Sequence, residues 1–254
     1  MIDRNKVYFV GAGAGDPELI TVKGRRLLDN ADVVIFAGSL VNPALLDGIK
    51  AEIHDSAGMA LDEIIGIIRD SLEKGKSVVR LHTGDPAFYG AISEQIERLR
   101  DLCIAYEVVP GVSSAMAGAA ALGQELTIPE ISQTVIFTRI EGRTPVPEKE
   151  NLASLAGHNA SMVIFLSVGM IEKVRDELLT AYPEDTPVVV IEKVSWPEER
   201  IVRGTLTDIA EKIKESGITK TALIYVGEAL KASEGKLNRE SKLYHKDFKH
   251  GYRQ

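Results

Sequence analysis

Three short segments of the chain combine glycine with small or hydroxyl-bearing residues, a composition that suits contact between backbone atoms and a small ligand. They occupy residues 11–17, 83–89 and 110–115. Glycine permits positive φ angles and lets the backbone approach a ligand or a neighbouring segment closely. Each segment alone is also typical of a tight turn between a strand and a helix. Their order along the chain favours a shared binding site.

The first segment, Gly11-Ala12-Gly13-Ala14-Gly15-Asp16-Pro17, departs from the dinucleotide-binding fingerprint. Asp16 stands where that fingerprint has its third glycine, and a carboxylate there opposes a pyrophosphate at a helix N-terminus. A nicotinamide dinucleotide is therefore disfavoured, and an uncharged or cationic ligand is favoured.

An alternation of strands and helices must position these segments. Short apolar runs predict strands over residues 7–10, 32–36, 77–81 and 105–109. Helical spacing and capping residues, including Thr21 as an N-cap, predict helices over residues 21–30, 43–49, 62–73, 91–100 and 113–122. Loops that follow the strands of a parallel sheet emerge at one edge, so we expect the three segments to converge on one crevice.

The second half of the chain continues with strands and helices but has different turn residues. Strands are predicted over residues 134–138, 162–166, 187–191 and 222–226, and helices over residues 171–181 and 208–216. An extra strand over 200–204 is expected beside 187–191, because Trp196-Pro197 offers a turn. The predicted fold class is α/β, with two α/β domains over 1–115 and 116–232, a ligand cleft between them, and a basic extension over 233–254.

Composition excludes several classes of protein. The 254 residues are 44% hydrophobic and 26% charged, which is unlike disordered, collagen-like or disulfide-framework proteins. A net charge of −7 disfavours a nucleic-acid partner. Cys103 is the only cysteine, so no intrachain disulfide forms, and we expect a small core residue in a reducing, cytoplasmic setting. We also expect no metal site, secretory signal or membrane span.

The charge is unevenly distributed. From Lys231 to Gln254, seven Lys/Arg against three acidic residues give +4, so the basic tail contrasts with an acidic body. The alternatives are a solvated end and a docked extension, and the apolar residues Leu243, Tyr244 and Phe248 favour docking.

The three segments, in this order, resemble the tetrapyrrole methylase family. The matching motifs are Gly11-Ala12-Gly13-Ala14-Gly15-Asp16-Pro17-Glu18-Leu19-Ile20-Thr21, Thr83-Gly84-Asp85-Pro86 and Pro110-Gly111-Val112-Ser113-Ser114. Further motifs resemble the branch that methylates carbon 11 of cobalt-precorrin-4 in cobalamin biosynthesis. They are His54-Asp55-Ser56-Ala57, Arg139-Ile140-Glu141-Gly142-Arg143-Thr144-Pro145-Val146-Pro147, Ser195-Trp196-Pro197-Glu198 and, in the basic tail, Ser241-Lys242-Leu243-Tyr244 and Phe248-Lys249-His250-Gly251-Tyr252-Arg253. Ala14 departs from the family, which usually has proline at that position.

This resemblance implies a homodimeric methyltransferase that uses S-adenosylmethionine and a tetrapyrrole substrate. It also implies that the methyl donor lies in the cleft between the domains. Metal-free precorrin-4 stays an alternative substrate. Another position of the macrocycle stays an alternative site of methylation. Carried over by motif, the donor contacts are Ala14, Thr83, Gly84, Asp85, Phe88, Ser113, Ser114, Leu166, Val194 and Ala222. For Asp85 the alternative is an N-cap on the following helix.

The macrocycle of such a substrate carries several carboxylates, and arginine binds carboxylates bidentately. Arg139 and Arg143 are therefore candidates for substrate binding, together with Glu141 between them. A surface salt-bridge loop is the alternative. Trp196 is a candidate to cover the macrocycle or the adenine, or to pack between domains. His82 and Tyr89 are the candidates for handling a proton or binding the edge of the ring, with a structural role as the alternative for His82. The sequence identifies no catalytic base.

Overall fold

The structure is a computed structural model that describes residues 2–235, and these residues form two compact units. The first unit runs to Ala117 and also includes Ser195–Pro197, while the second holds Gly118–Val194 and the described residues after Pro197. The sequence-predicted domains, 1–115 and 116–232, remain a prediction about folding units. Most of the predicted basic extension, from position 236 onward, lies outside the described residues.

The first unit is built on a parallel sheet of five strands in the order β3-β2-β4-β1-β5. The strands are β1 (Lys6–Gly11), β2 (Val33–Phe36), β3 (Glu52–Asp55), β4 (Val78–His82) and β5 (Ala105–Val109). The helices are α1 (Val22–Asp29), α2 (Leu61–Glu73), α3 (Ile92–Asp101) and α4 (Ser114–Ala121). Short 3-10 helices span Pro17–Leu19, Gly38–Leu40 and Pro43–Leu46.

Helices cover both faces of this sheet, which explains the almost continuous apolar run of β1. Tyr8 and Val10 pack in one core cluster with Leu28 of α1, and Phe9 packs in the other with Ile68 of α2. Strands that are buried on both faces lose the alternation of polar and apolar residues. The predicted helix with Thr21 as N-cap is confirmed, because the Thr21 hydroxyl accepts a hydrogen bond from the Gly24 amide at 3.0 Å.

The second unit is built on a mixed sheet in the order β6-β7-β10-β8-β9. Its strands are β6 (Val135–Arg139), β7 (Ser161–Phe165), β8 (Pro187–Glu192), β9 (Arg200–Thr205) and β10 (Ala222–Val226). The helices are α5 (Leu152–Ala156), α6 (Ile171–Leu178) and α7 (Ile209–Ser216), with 3-10 helices at Glu148–Glu150, Val168–Met170 and Glu228–Glu234. The extra strand expected beside 187–191 is confirmed, since β9 pairs with β8 in antiparallel register.

The direction of β10 decides which residues of this unit lie together. β6 and β7 run parallel, whereas β10 runs antiparallel to both β7 and β8. The first residue of β10, Ala222, therefore pairs with Glu192 at the end of β8. Side chains of β7, β8 and β10 share one core cluster with α6 and α7, including Ile164, Val190 and Ile224.

The structure differs from the sequence analysis at three places. β3 was not predicted, because its sequence, Glu-Ile-His-Asp, is polar and the strand forms at the sheet edge through backbone pairing with β2. The helix predicted over 43–49 is a 3-10 turn, Pro43–Leu46. Cys103 was wrongly expected in the core: it is exposed and adopts a φ of 55° just after α3.

Within residues 2–235, none of the helices has both the length and the hydropathy of a membrane span.

Candidate functional site

The three glycine-containing segments converge at a junction of backbones in the first unit. A Cβ atom on Gly11 would lie 2.6 Å from the Cα of Gly111, and one on Gly111 would lie 2.2 Å from the carbonyl oxygen of Gly84. Such distances leave no room for any side chain, so only glycine lets the three segments pack directly. The predicted convergence of the segments is confirmed.

Hydrogen bonds continue from the sheet into this junction. The Ala12 amide donates to the His82 carbonyl at 2.7 Å, just after β1 and β4 end as paired strands. Beyond that point Gly13 and Gly84 exchange two bonds: the Gly84 amide donates to the Gly13 carbonyl at 2.8 Å, and the reverse bond measures 3.3 Å. The first two segments are thus joined residue by residue through their backbones.

Asp85 joins the second segment to the third. One carboxylate oxygen accepts a hydrogen bond from the Ala87 amide at 2.8 Å, and the other accepts from the Gly111 amide at 3.0 Å. The alternative of an N-cap on the following helix is wrong, because Ala91 precedes the first residue of α3. Asp85 is half-buried, and its carboxylate both closes a local turn and holds Gly111 in place.

Two residues from a distant part of the chain, Ser195 and Trp196, contact the first segment. Both belong to the first unit. The Trp196 indole N–H donates to the Ala14 carbonyl at 3.2 Å, and the Asp16 amide donates to the Ser195 hydroxyl oxygen at 3.0 Å. Between these bonds, a Cβ atom on Gly15 would lie 2.1 Å from Cδ1 of Trp196. The indole is therefore packed against the loop backbone, and its N–H is already bonded.

His82 is the last residue of β4, directly before the second segment, and its side chain is neutral. It is 3% exposed, and burial together with the neighbouring Arg80 cation lowers the pKa of its imidazole to about 3. Its Nε2 has no hydrogen-bond partner among the described residues. Arg80 is also buried, donates to Gln95 and to the Ile35 carbonyl, and has its pKa lowered by desolvation to about 10.

The other predicted donor contacts divide between the two units. In the first unit, Thr83 and Ser114 are half-buried, Gly84 and Ser113 are buried, and Phe88 is exposed beside the exposed Tyr89. In the second unit, Leu166 follows β7 and is 69% exposed, and Val194 follows β8 and is buried. Because β10 runs antiparallel to β7 and β8, its first residue, Ala222, lies beside the C-terminal ends of those two strands, where Leu166 and Val194 follow. The structure thus gathers each set within its own unit.

The predicted substrate residues of the second unit have different roles in the structure. The Arg139 guanidinium donates to the carbonyls of Ile140, Thr144 and Pro145, at 3.4, 3.1 and 2.8 Å. Glu141 forms an ion pair with Lys173 at 3.0 Å. Arg143 is exposed, and within the described part of the chain it has neither a hydrogen bond nor an ion pair.

A pocket of about 260 Å³ lies beside Arg139, and its charge is unsuited to an anion. Three glutamates face it, and the donors of its one arginine are bound to carbonyl oxygens. The lining residues are Arg139, Ile140, Glu141, Val146, Glu148, Asn151, Leu152 and Glu177. Of the two predicted arginines, only Arg143 has a guanidinium that forms no hydrogen bond or ion pair with the described residues.

Some contributors to the site were not identified from the sequence. Ser195 was quoted only as part of a motif, yet its hydroxyl holds the Asp16 amide, which lies 179 positions earlier in the chain. Lys173, the partner of Glu141, sits on α6 and had no distinguishing motif. No group of three or more His, Cys, Asp or Glu suited to a metal ion occurs in residues 2–235.

The chain is similar to a known protein family and to solved structures. The model of the tetrapyrrole (corrin/porphyrin) methylases matches residues 6–210. Cobalt-precorrin-4 C(11)-methyltransferase of Methanocaldococcus jannaschii is 57% identical over 256 residues, covering 100% of this chain and 98% of the relative. A solved cobalt precorrin-4 methyltransferase superposes with a TM-score of 0.88 at 51% identity, covering 89% of this chain and 96% of the other.

A second solved structure carries a bound ligand. It is the uroporphyrin-III C-methyl transferase of Thermus thermophilus complexed with S-adenyl homocysteine, with a TM-score of 0.77 and 30% identity. The alignment covers 89% of this chain and 99% of that one. From the family match over most of its length and from these identities, the chain is a member of the tetrapyrrole (corrin/porphyrin) methylase family.

Proposed function

We propose that this protein transfers a methyl group from S-adenosylmethionine to carbon 11 of cobalt-precorrin-4, a step of cobalamin biosynthesis. The observation that carries the proposal is the 57% identity, over the whole chain, to an enzyme of that name. The junction of three loops in the first unit supports it, because its chemistry suits the donor and disfavours a dinucleotide.

The residues of the junction fit a cationic, partly apolar donor. Residues 11–16, 83–89 and 110–114 include two carboxylates, Asp16 and Asp85, but no lysine or arginine. A Cβ atom on Gly84 would meet only Ser113 and Ser114, at 3.8 and 3.7 Å, so the protein leaves space above this glycine. Opposite charge nearby favours a cation, and a backbone surface allows close approach. We assign Thr83, Gly84, Asp85, Phe88, Ser113 and Ser114 to donor binding in the first unit.

S-adenosylmethionine, when bound, supplies an electrophilic methyl group on a sulfonium whose departure leaves a neutral thioether. The protein therefore has no leaving group to protonate, and its work is to align the reactants and to exclude water. Asp85 and the backbone bonds between Gly13 and Gly84 hold the loops in one conformation for this purpose.

In the proposed reaction, the His82 side chain transfers no proton at neutral pH. Its imidazole is neutral because burial and Arg80 lower its pKa to about 3, far below the range useful to a general base near pH 7. Tyr89 is exposed next to the donor loop, and we retain it as the candidate to contact the macrocycle edge.

For the substrate we assign carboxylate binding to Arg143. Its guanidinium is exposed and unpaired toward the described residues, whereas the guanidinium of Arg139 is bound to three carbonyls. Planar guanidinium groups bind carboxylates through two parallel hydrogen bonds. We assign Leu166, Val194 and Ala222 to donor binding as well. These three residues lie at the same ends of the inner strands of the second sheet.

The test is a methyl-transfer assay with the purified full-length protein. It is incubated with methyl-labelled S-adenosylmethionine and either cobalt-precorrin-4 or metal-free precorrin-4, and the product is analysed by NMR. We expect one added methyl group at carbon 11, with the cobalt-containing substrate preferred. Methylation at another carbon, or binding of both substrates without any transfer, would contradict the proposal.

We also propose that the protein acts as a homodimer in the cytoplasm. The family resemblance supports the dimer, and a single cysteine, incapable of an intrachain disulfide, fits a reducing compartment. Light scattering on the full-length protein is expected to give twice the 27.6 kDa chain mass. A mass of one chain would contradict the dimer without affecting the assigned reaction.

A further inference from the structure

The only tryptophan of the chain lies against the glycine-rich loop. Trp196 and its neighbour Ser195 are joined to three consecutive loop residues: the Ala14 carbonyl, the Gly15 backbone and the Asp16 amide. We call Ser195 and Trp196 the strap. Both hydrogen bonds use loop backbone groups, so the strap determines the conformation of the loop itself.

The loop has a matching feature at Gly15. A Cβ atom there would lie 2.1 Å from Cδ1 and 2.5 Å from Nε1 of the indole, whereas real Cβ contacts are above 3 Å. The absent side chain of Gly15 and the indole of Trp196 are therefore complementary in shape. Either an added methyl group at Gly15 or removal of the indole changes how the loop is held.

Ser195 supports the strap by its own backbone conformation. Its φ is 63°, a left-handed value that is uncommon for a residue other than glycine. This conformation coincides with the placement of its hydroxyl 3.0 Å from the Asp16 amide. The Asp16 side chain in turn accepts from the Glu18 amide at 2.8 Å and caps the following 3-10 helix. The strap, the loop and the start of that helix form one chain of contacts.

We infer that Ser195 and Trp196 are positioning residues for the methyl donor, an assignment that rests on the proposed function. They hold residues 14–16 so that the loop presents a formed backbone surface to the donor. The Asp16 N–H is bonded to Ser195 and the indole N–H to Ala14, so neither donor group is available to the ligand. The strap acts through the loop and contributes shape rather than hydrogen bonds to binding.

Tryptophan fluorescence gives a direct readout, because all of it comes from Trp196. Saturating the full-length protein with S-adenosylhomocysteine is expected to shift the emission maximum or change its intensity. Adenosine at the same concentration serves as the control for absorption by the ligand. Binding that is detected by calorimetry but leaves the emission unchanged would overturn the assignment.

Substitutions test the shape match. We expect Gly15→Ala and Trp196→Ala each to weaken S-adenosylhomocysteine binding about tenfold. The double variant is expected to bind no more weakly than Trp196→Ala alone, because the added methyl group clashes only with the indole. Gly66→Ala is the matched control, since a Cβ on this half-buried helical glycine meets nothing within 4 Å.

Milder variants separate positioning from folding. Trp196→Phe retains an aromatic ring but loses the bond to the Ala14 carbonyl, and Ser195→Ala loses the bond to the Asp16 amide. Each is expected to raise the donor KM about threefold with an unchanged macrocycle KM. Equal rises in both KM values would overturn the assignment.

The outcomes distinguish this inference from the proposed function. Wild-type protein that does not bind S-adenosylhomocysteine overturns both. Wild-type protein that binds it, together with Gly15→Ala protein that binds it equally well, overturns the assignment of the strap alone. Multiplicative losses in the double variant also overturn the shape match.

Discussion

The two units hold their candidate binding segments by different means. In the first unit, backbone contacts backbone: Gly11, Gly84 and Gly111 pack without side chains, and Gly13 and Gly84 exchange hydrogen bonds. In the second unit, one side chain organises the segment, because Arg139 donates to the carbonyls of Ile140, Thr144 and Pro145.

This difference implies different tolerance to substitution. The junction cannot relax around a methyl group added at Gly11 or Gly111, because a Cβ atom there would lie between 2.2 and 2.9 Å from backbone atoms of the other segments. An exposed segment held by one guanidinium loses hydrogen bonds when that group is removed, but water replaces them. Substitutions in the first unit are therefore expected to affect stability, and those in the second to affect substrate binding more than stability.

The largest effect is expected for Gly111→Ala. The added Cβ would lie 2.2 Å from the Gly84 carbonyl oxygen and 2.8 Å from the Gly11 Cα. Overpacking of this kind is expected to lower the free energy of unfolding by about 3 kcal/mol. Urea denaturation measures it, and Gly66→Ala, which gains helix propensity, is expected to raise the same quantity by about 0.5–1 kcal/mol. Equal stability of wild type and Gly111→Ala would refute the rigid junction.

The second largest effect is expected from pH: protonation of His82, in the first unit, lowers the free energy of unfolding in acid. Burial and Arg80 lower the folded pKa to about 3 from 6.5, so the unfolded chain binds the proton more readily between these values. Stability is fully present above pH 6.5 and falls as the pH drops, by about 2 kcal/mol between pH 6.5 and 4.5.

Denaturation curves at several pH values test this prediction. The His82→Gln variant is expected to lose that part of the pH dependence, whatever its absolute stability. His158→Gln, which changes an exposed histidine of the second unit, is the control. A His82→Gln variant with the pH dependence of the wild type would show that His82 is not the group responsible.

The third effect concerns Asp85, the side chain that links two loops of the first unit. Asp85→Ala leaves the Gly111 and Ala87 amides without their acceptors, and we expect a loss of about 1.5 kcal/mol in unfolding free energy. Weaker S-adenosylhomocysteine binding is expected as well. Asp85→Asn restores one acceptor but turns an NH₂ group toward the other amide, so an intermediate result is expected. Calorimetry that finds unchanged affinity in both variants argues against a role in the donor site.

The smallest effect on stability is expected in the second unit. Arg139→Ala should raise the macrocycle KM about tenfold, or ~1.4 kcal/mol, because segment 140–147 loses its anchor. Arg139→Lys should rescue little, since an ammonium lacks the planar fork that reaches several carbonyls. Arg143→Ala should raise the same KM, yet only the Arg139 variants should speed proteolysis within 140–147. Faster cleavage in Arg143→Ala would erase this distinction.

Much of the architecture follows from local sequence patterns. Apolar runs predicted most strands, helical spacing predicted α2, and Thr21 predicted the start of α1. Periodicity is a property of neighbouring residues, which is why it predicts these elements without knowledge of the fold. β3 lacks such a pattern, because its formation depends on an edge offered by β2.

The site was predicted less completely, and Arg139 shows why. Its spacing from Arg143 suggested a pair of arginines for carboxylates, yet the two have different environments. Which acceptor a guanidinium reaches depends on the course of the following eight residues. Composition and spacing do not contain that information.

The sequence by itself determined the order of the three loops, the glycines they require and the absence of basic residues from them, because these are matters of composition and succession. Tertiary structure decided that Trp196 packs against Gly15, more than 180 positions away, and that His82 is buried with a lowered pKa. Contacts between distant residues and the desolvation of a side chain depend on packing in three dimensions, so they are decided only when the chain folds.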